Sequence, residues 1–441
     1  MTKRSILQAL AGSMLVSLLV FAVLSWPLPR MATEAIPSSA QNLEHPSWRS
    51  MIPGDQLQLL YHFDLMRDML HGRIPWFQNP YEFNQGDDRA GYRPGAYFFP
   101  MSGVYAVLAE RVGQAAGWNL TLWLSVALGT FFTWGWLRRF THDRLALGVG
   151  VAAGLLLPFR WISLFGGSPA GIALMWLPLL AWGLDVAIRR ATVASGIWVG
   201  AVLLALFWAD LQIFYLTMLG LPLVAAISLL GHAGPLPWRR WWRPVPGALF
   251  FVVLIAIFYL WRKEHLAGST MSAGRNEAEV LLFSPLLCGF WWGGKGVNGW
   301  IFMGFATILA LVFAWSRLVI HALGKPGRSR DWRWMALLLL LGMGIGVGGM
   351  LALGMNGPLN GAMMKLARAA LPYYTMIRQP AKIMGVLSLW MTWLLAVGFA
   401  CQTSDSRSLK RWIRGVAGVV LVGMVLEVTH AYSATLCRLE P

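Results

Sequence analysis

Charge is what this chain has least of. Only 12% of its 441 residues are Asp, Glu, Lys or Arg, against 57% hydrophobic residues, too little polar surface to cover a soluble protein of this size. Acids are scarcer still, 19 against 36 Lys and Arg, for a formal net charge of +17. An excess of that sign often means nucleic acid. Here the basic residues stand at the ends of apolar stretches, where they record the positive-inside rule and contact with anionic membrane lipid instead. The three cysteines, Cys288, Cys401 and Cys437, form no CxxC and share no Cys/His spacing, which argues against a zinc site and a disulfide scaffold. There is no low-complexity segment and no internal repeat, which speaks against transporter folds assembled from inverted repeats.

What the chain has in abundance is apolar sequence of membrane-crossing length. Lys3 and Arg4 precede an apolar run near 9–28 with no A-x-A cleavage site after it, which reads as a retained first transmembrane helix with a cytoplasmic N-terminus. Further runs lie near 118–137, 145–162, 169–188, 193–209, 211–231, 245–262, 299–320, 333–354, 382–400 and 412–433, each about long enough to cross the hydrocarbon core. These eleven spans put every basic cluster in the cytoplasm: Arg138/Arg139/Arg144, Arg189/Arg190, Arg239/Arg240/Arg243, Arg317 through Arg333, and Arg407 through Arg414. That parity requires 97–116 to lie in the interface or re-enter. Glu110, Arg111 and Gln114 suit an amphipathic helix there better than a lipid-exposed span.

The expected fold class is therefore an all-α polytopic protein of the inner membrane, a single integral domain over 1–441. An extracytoplasmic first loop over 30–117 carries interfacial helices, and a bundle of about 11 transmembrane helices over 118–433 has external loops near 263–298 and 355–381. Pro169, Pro178, Pro222 and the GMGIGVGG run at 342–349 read as features of close helix packing.

The first loop contains the longest polar stretch, 53–100, and loops of that length usually carry function. It holds Asp55, Asp64, Asp68, Glu82, Asp87 and Asp88, interleaved with Arg67, Arg73, Arg89, Arg93 and aromatic residues. Arg262, Lys263, Arg275, Lys295, Lys365, Arg368, Arg378 and Lys382 also fall on or beside the external face, against the positive-inside tendency. Binding an anion accounts for them, although long loops translocate regardless of charge.

Carboxylates and separate cations on one face suit a reaction that binds a phosphate leaving group and activates an acceptor hydroxyl. A carboxylate such as Asp55 takes the proton or holds a divalent ion, while Arg and Lys neutralise the phosphate. Asp87-Asp88 and Glu277-x-Glu279 offer oxygen ligands suited to Mg²⁺ or Mn²⁺, though such pairs are more often simply solvated. Asp64 and Asp68 are set aside, because YHFDLMRDML allows a helix in which Asp64 pairs with Arg67 and Asp68 faces solvent. Arg160 in LPFRWIS and Asp210 in FWADLQIFY lie near outer ends of spans, where charge is expensive. They are candidates for substrate contact or for pairing with each other. A local pair with Arg189 accounts for Asp185. His45, His62 and His71 match no metal motif.

The first loop has an Asp soon after the first span, then Leu70-x-Gly72-Arg73-Ile74-Pro75-Trp76-x-x-Asn79-Pro80 and a later Tyr97-x-x-Pro100. With Trp176-x-Pro178, the aromatic-rich segment after Asp210, and Leu371-Pro372 followed by Arg378-x-Pro380-x-Lys382, this pattern resembles the GT-C superfamily of membrane glycosyltransferases, its YfhO-type branch most. The resemblance implies a sugar donor on polyprenyl phosphate, reached laterally from the bilayer, with inverting transfer to an extracytoplasmic glycan, lipid or protein. It also implies that Asp55 matches the catalytic acid of the first loop, with Asp87 and Asp88 in reserve, and that Arg378 lies near the lipid phosphate. Lys382 with Arg262, Lys263 or Arg275 would complete that site, and Arg93 is a further candidate. The chain departs from the pattern in lacking a D-x-D in its first loop. Two competing readings are a transporter or flippase of a lipid-linked or anionic substrate, and a noncatalytic partner in an envelope-assembly complex. A transporter places polar residues near mid-membrane, whereas the acids here collect outside.

Overall fold

A computed structural model of the chain describes residues 3–38, 55–81, 93–232, 236–265, 274–292, 296–323, 332–401, 407–431 and 435–439. Asp87 and Asp88 lie outside the described residues, as do His45, Glu82, Arg89 and Lys295. The helices follow in chain order as α1 Lys3–Leu24, α2 Asp55–Leu70, α3 Met101–Val112, α4 Gln114–Leu137, α5 Arg144–Leu156, α6 Pro158–Phe165, α7 Pro169–Ala173, α8 Trp176–Arg190 and α9 Val193–Ala209. They continue as α10 Leu211–Leu230, α11 Pro244–His265, α12 Glu277–Leu282, α13 Phe305–Leu323, α14 Trp332–Ala352, α15 Pro358–Ala370, α16 Met384–Ala400 and α17 Arg407–Ala431. Four short strands accompany them: β1 Ala35–Ser38, β2 Gln78–Asn79, β3 Arg93–Pro94 and β4 Thr435–Arg438.

Among the described residues, 10 helical segments are long and apolar enough to cross a membrane. Helix α9, an apolar helix of 17 residues, corresponds to the remaining span expected at 193–209. The protein is an all-α, multi-pass integral membrane protein. Capping fixes several helix starts: Asp143 accepts the Ala146 N–H at 3.0 Å ahead of α5, and Thr192 and Ser195 form a capping box ahead of α9. Within 97–116 the helix α3 is shorter than a crossing needs. It has 12 residues, ends at Gly113 with φ +88° and doubles back onto α4.

Two expected spans are broken. The run at 145–162 divides into α5 and α6 at Leu157, extended ahead of Pro158, as the residue before proline prefers. The run at 169–188 divides into α7 and α8 near Leu174. The glycines of α14 serve close packing as expected: a Cβ at Gly348 would stand 2.5 Å from Leu387 Cδ2, so a side chain there would push α14 off α16.

The bundle has a centre and a rim. The most apolar stretch of α16 is 89% buried, that of α11 only 6%, so α16 is the axis and α11 faces lipid. One contiguous apolar cluster runs from Phe21 to Cys437. A small second cluster, Leu65, Met66, Met69 and Ile74, belongs to the first loop. The resembling motif there builds scaffold. Gly72, at φ +68°, ends α2 in the left-handed conformation that suits glycine. Buried Asn79 accepts from the Tyr61 hydroxyl and the Tyr81 N–H, both at 3.0 Å.

Strand pairing and ion pairs define two faces. β1 and β4 pair antiparallel, with Ala35 opposite Arg438 and Ser38 opposite Thr435. Asn119, near the start of α4, donates to the carbonyls of Ala32 and Ala35 at 2.9 Å. The exit of α1, the entry of α4 and the exit of α17 therefore share one face. On the other, Asp185 accepts from Arg139 Nε at 2.7 Å and lies 2.9 Å from His232 Nε2. Arg189 donates to the Ser228 carbonyl at 2.7 Å. The sequence reading of Asp185 as one half of a local pair is thus corrected: the buried carboxylate joins the ends of α4, α8 and α10, because helix packing brings stronger partners than its own next turn.

Candidate active site

Helix α2 opens with exposed Asp55, followed by Gln56, which is 1% exposed. Its first turn is seated on the loop between α6 and α7. There Gly167 has φ +73°, and a Cβ would run into the backbone of Asp55 and Gln56, so only glycine permits the approach. Acids are favoured at a helix N-terminus by its unpaired N–H groups. Helix α7 in turn packs on α9 and α10, whose junction is Asp210. The elements bearing Asp55 and Asp210 are thereby linked through one short helix.

Asp210 is 6% exposed and caps α10, accepting the N–H groups of Gln212 at 2.7 Å and Ile213 at 2.9 Å. Its other oxygen stands 3.7 Å from Lys382 Nζ. The pairing with Arg160 that the sequence left open is therefore replaced by one with Lys382. Asp210→Ala removes cap and counter-ion together, whereas Asp210→Asn keeps the cap. The Ala variant is expected to be less stable than the Asn variant by about 1 kcal/mol. Thermal melts of the two purified variants check this, and equal midpoints would show that the cap contributes nothing.

The remaining cations gather on the same side of the molecule. Arg275 donates its N–H to the Thr375 carbonyl at 2.9 Å and its guanidinium to Glu279 at 3.2 Å, and its own carbonyl accepts from Arg368 at 2.6 Å. Arg378 lies 3.9 Å from the same Glu279, with its guanidinium 4.9 Å from the Phe283 ring centre. Glu279 is placed by α12, whose start is capped by Asn276 accepting the Glu279 N–H at 2.7 Å. Arg262 ends α11 half-buried, and its Nε lacks a hydrogen-bond partner among the described residues. Lys263 beside it is exposed.

The first loop roofs this region with aromatics. Phe77 packs on Trp208, Phe258 and Phe99 at centroid distances of 5.5, 5.6 and 6.3 Å. Phe77, Tyr97 and Phe98 have φ of 58°, 45° and 62°, a left-handed backbone that bulky residues adopt only when their surroundings impose it. Arg93 lies in β3 opposite Asn79. Asp64 knits α2 to its neighbours, accepting from the Tyr105 hydroxyl at 3.0 Å and Gln114 at 2.5 Å, with Arg67 at 3.3 Å. Burial pushes its carboxyl above the usual range even though Arg67, Tyr105 and Gln114 pull it down. Asp68, expected to face solvent, instead pairs with Arg73 at 3.0 Å, because the turn at Gly72 brings that side chain back over α2.

The structure thus pairs Lys382 with Asp210, and Arg378 and Arg275 with Glu279, from distant parts of the chain, while Asp55 stands on α2, linked to the Asp210 junction through the loop before α7 and α7 itself. Arg160 does not join them. The restart of the helix at Pro158 carries it into the bundle, 6% exposed, rather than to the outer end where a straight span would have put it. Sequence reasoning missed the role of Glu279, the shared counter-ion of Arg275 and Arg378, and of Arg368, which braces the Arg275 backbone. The i,i+4 spacing of Arg275 and Glu279 was a readable signal. Among the described residues no group of three or more His, Cys, Asp or Glu is placed to hold a metal ion. Asp87 and Asp88, two of the carboxylates expected to hold Mg²⁺ or Mn²⁺, lie outside those residues.

No protein-family model matches the sequence, and no curated protein does. Solved structures do. The arabinofuranosyltransferase AftD from Mycobacteria aligns with TM-score 0.54 and 12% identity over 98% of this chain, which spans only 27% of AftD. ArnT from Cupriavidus metallidurans in the apo state aligns with TM-score 0.53 and 13% identity, over 96% of this chain and 75% of that one. ArnT bound to undecaprenyl phosphate gives TM-score 0.50 and 13% identity over 98% and 77%. At such identities the likeness is one of fold, and the fold is GT-C-like.

Proposed function

We propose, on the premise of this GT-C-like fold, that the protein moves a sugar from a polyprenyl-phosphate carrier to an acceptor on the extracytoplasmic side. The observation that carries the reading is the pairing of Lys382 with Asp210 and of Arg378 and Arg275 with Glu279, cations from two separate segments of the chain, together with the exposed Asp55 that opens α2. A carboxylate for a proton and cations for a phosphate are what such a transfer needs. The structural neighbours AftD and ArnT are a glycosyltransferase and a protein that binds undecaprenyl phosphate, which supports the same substrate class.

The chemistry balances without a metal. The acceptor hydroxyl gives its proton to Asp55 while its oxygen attacks the anomeric carbon from the side opposite the phosphate. The carbon–oxygen bond to phosphate breaks, and polyprenyl phosphate departs with the electron pair. Arg378 and Lys382, helped by Arg262, Lys263 or Arg275, offset the negative charge developing on the leaving group. Asp210 acts as a positioning residue by holding Lys382 toward the site. The exposed α11, with Arg262 and Lys263 in its last turn, flanks the side from which a lipid carrier would enter from the bilayer.

The test of the function is direct. Purified protein in proteoliposomes is offered a panel of labelled polyprenyl-phosphate sugars, and release of polyprenyl phosphate is followed. Release with none of them, with or without candidate acceptors and Mg²⁺ or Mn²⁺, would sink the proposal.

The reading also requires an orientation, with the N-terminus cytoplasmic and the β1–β4 face outside. A single cysteine placed near Arg139, beside the buried Asp185, is expected to resist an impermeant thiol reagent added from outside. One placed near Ser38 is expected to react. The reverse pattern would put the candidate site in the cytoplasm, out of reach of an external acceptor.

A further inference from the structure

Within the bundle, α4, α5, α6, α8 and α16 line a partly open cavity of about 20 Å³. Arg160, Thr133, Ser388, Thr392, Leu174 and Pro178 are among the residues that line it. Arg160 is 6% exposed, and among the described residues its guanidinium has neither a hydrogen-bond nor an ion-pair partner. Glycines make the room: a Cβ at Gly129 would stand 2.6 Å from Arg160 Nη2, and one at Gly154 would stand 3.0 Å from Thr392 Cγ2.

A guanidinium without an acid is the most expensive group a membrane interior can hold, and such cations are nearly always paired. The hydroxyls of Thr133, Ser388 and Thr392 donate to carbonyls of their own helices at 2.7, 2.6 and 2.8 Å. A hydroxyl proton rotates, so each can turn from its carbonyl toward an anion beside Arg160. Size then selects the anion. The space is about that of one particle of water or halide dimensions.

We propose that this cavity binds a single halide ion, whose charge offsets that of Arg160 within the membrane. It is a site separate from the donor phosphate and does not depend on the reading of the transfer reaction. Because it joins α16, the axis of the bundle, to α4, α6 and α8, occupancy stabilises the helices on which the external site is mounted.

The intact protein in nanodiscs is melted in chloride, in bromide and in gluconate, which is too large for the cavity, at constant ionic strength. Halide is expected to raise the melting temperature, saturably and on the order of 2 °C. Arg160→Gln is expected to abolish the dependence. Thr133→Val, which keeps the charge and removes one ligand, is expected to shift saturation to several-fold higher halide. In crystals grown in bromide, one anomalous peak is expected beside Arg160. Wild-type protein that melts alike in halide and gluconate overturns the proposal and leaves water as the partner of Arg160. So does halide dependence that survives Arg160→Gln or is unmoved by Thr133→Val, and so does a cavity without anomalous signal.

Discussion

Asp55→Asn is expected to lower sugar transfer by roughly 10²–10⁴-fold, the usual worth of a positioned general base, while expression and donor binding persist. The substitution preserves the shape of the side chain and removes its charge and basic lone pair. The fold makes it a clean experiment, because Asp55 holds no other helix in place: its neighbour Gln56 is the buried residue, and the contact with Gly167 is made by backbone. Asp64 is the informative contrast. Its carboxylate is committed to Tyr105, Gln114 and Arg67, so Asp64→Asn acts through the packing of α2 on α3 and α4 and shows first in the melting temperature. Full activity in Asp55→Asn would move the base to Asp87 or Asp88. Full activity in all three Asn variants would end the catalytic reading of the first loop.

Arg378→Ala is expected to weaken donor binding by at least about tenfold, since a charge-assisted contact to phosphate contributes on the order of 1.5–3 kcal/mol and 1.4 kcal/mol is a factor of ten. The geometry adds two finer expectations. Arg378 stacks on Phe283, an arrangement that uses the flat guanidinium, so Arg378→Lys should recover only part of the loss. Glu279 competes with a bound phosphate for both Arg378 and Arg275, so Glu279→Gln should bind donor at least as tightly as the native protein. Titration of the purified variants with a polyprenyl phosphate measures all three. Unchanged affinity in a folded Arg378→Ala variant removes this residue from the site.

Most of the membrane architecture was legible from apolar run length and from the placement of arginines, because the bilayer imposes one helix length and one sign asymmetry on every span. The short helix within 97–116 was legible too, since Glu110 and Arg111 do not suit a lipid-facing span. Breaks within spans were less so. A proline shows that a helix must adjust, but the sequence does not show that the adjustment at Pro158 turns Arg160 inward. Cations at the candidate site could be listed from the sequence, since charge on an external loop is visible as such. Their counter-ions could not: the pairs Lys382–Asp210 and Arg378–Glu279 join residues far apart in the chain, and only packing brings them within reach. Asp185 teaches the same lesson, since the partner four residues away was the visible one and the partners on other helices were the ones the fold supplied.

The pairing of β1 with β4 sets a schedule for the chain's synthesis. The hydroxyl of Thr435 donates to the carbonyl of Ser38 across 397 residues of sequence. A ribosome adding 5–20 residues per second therefore takes roughly 20–80 s between making one strand and making the other. For all that time β1 lacks its strand partner. It is tethered to the C-terminal strand only after the last membrane helix has been made, so this pairing closes late in the life of the nascent chain.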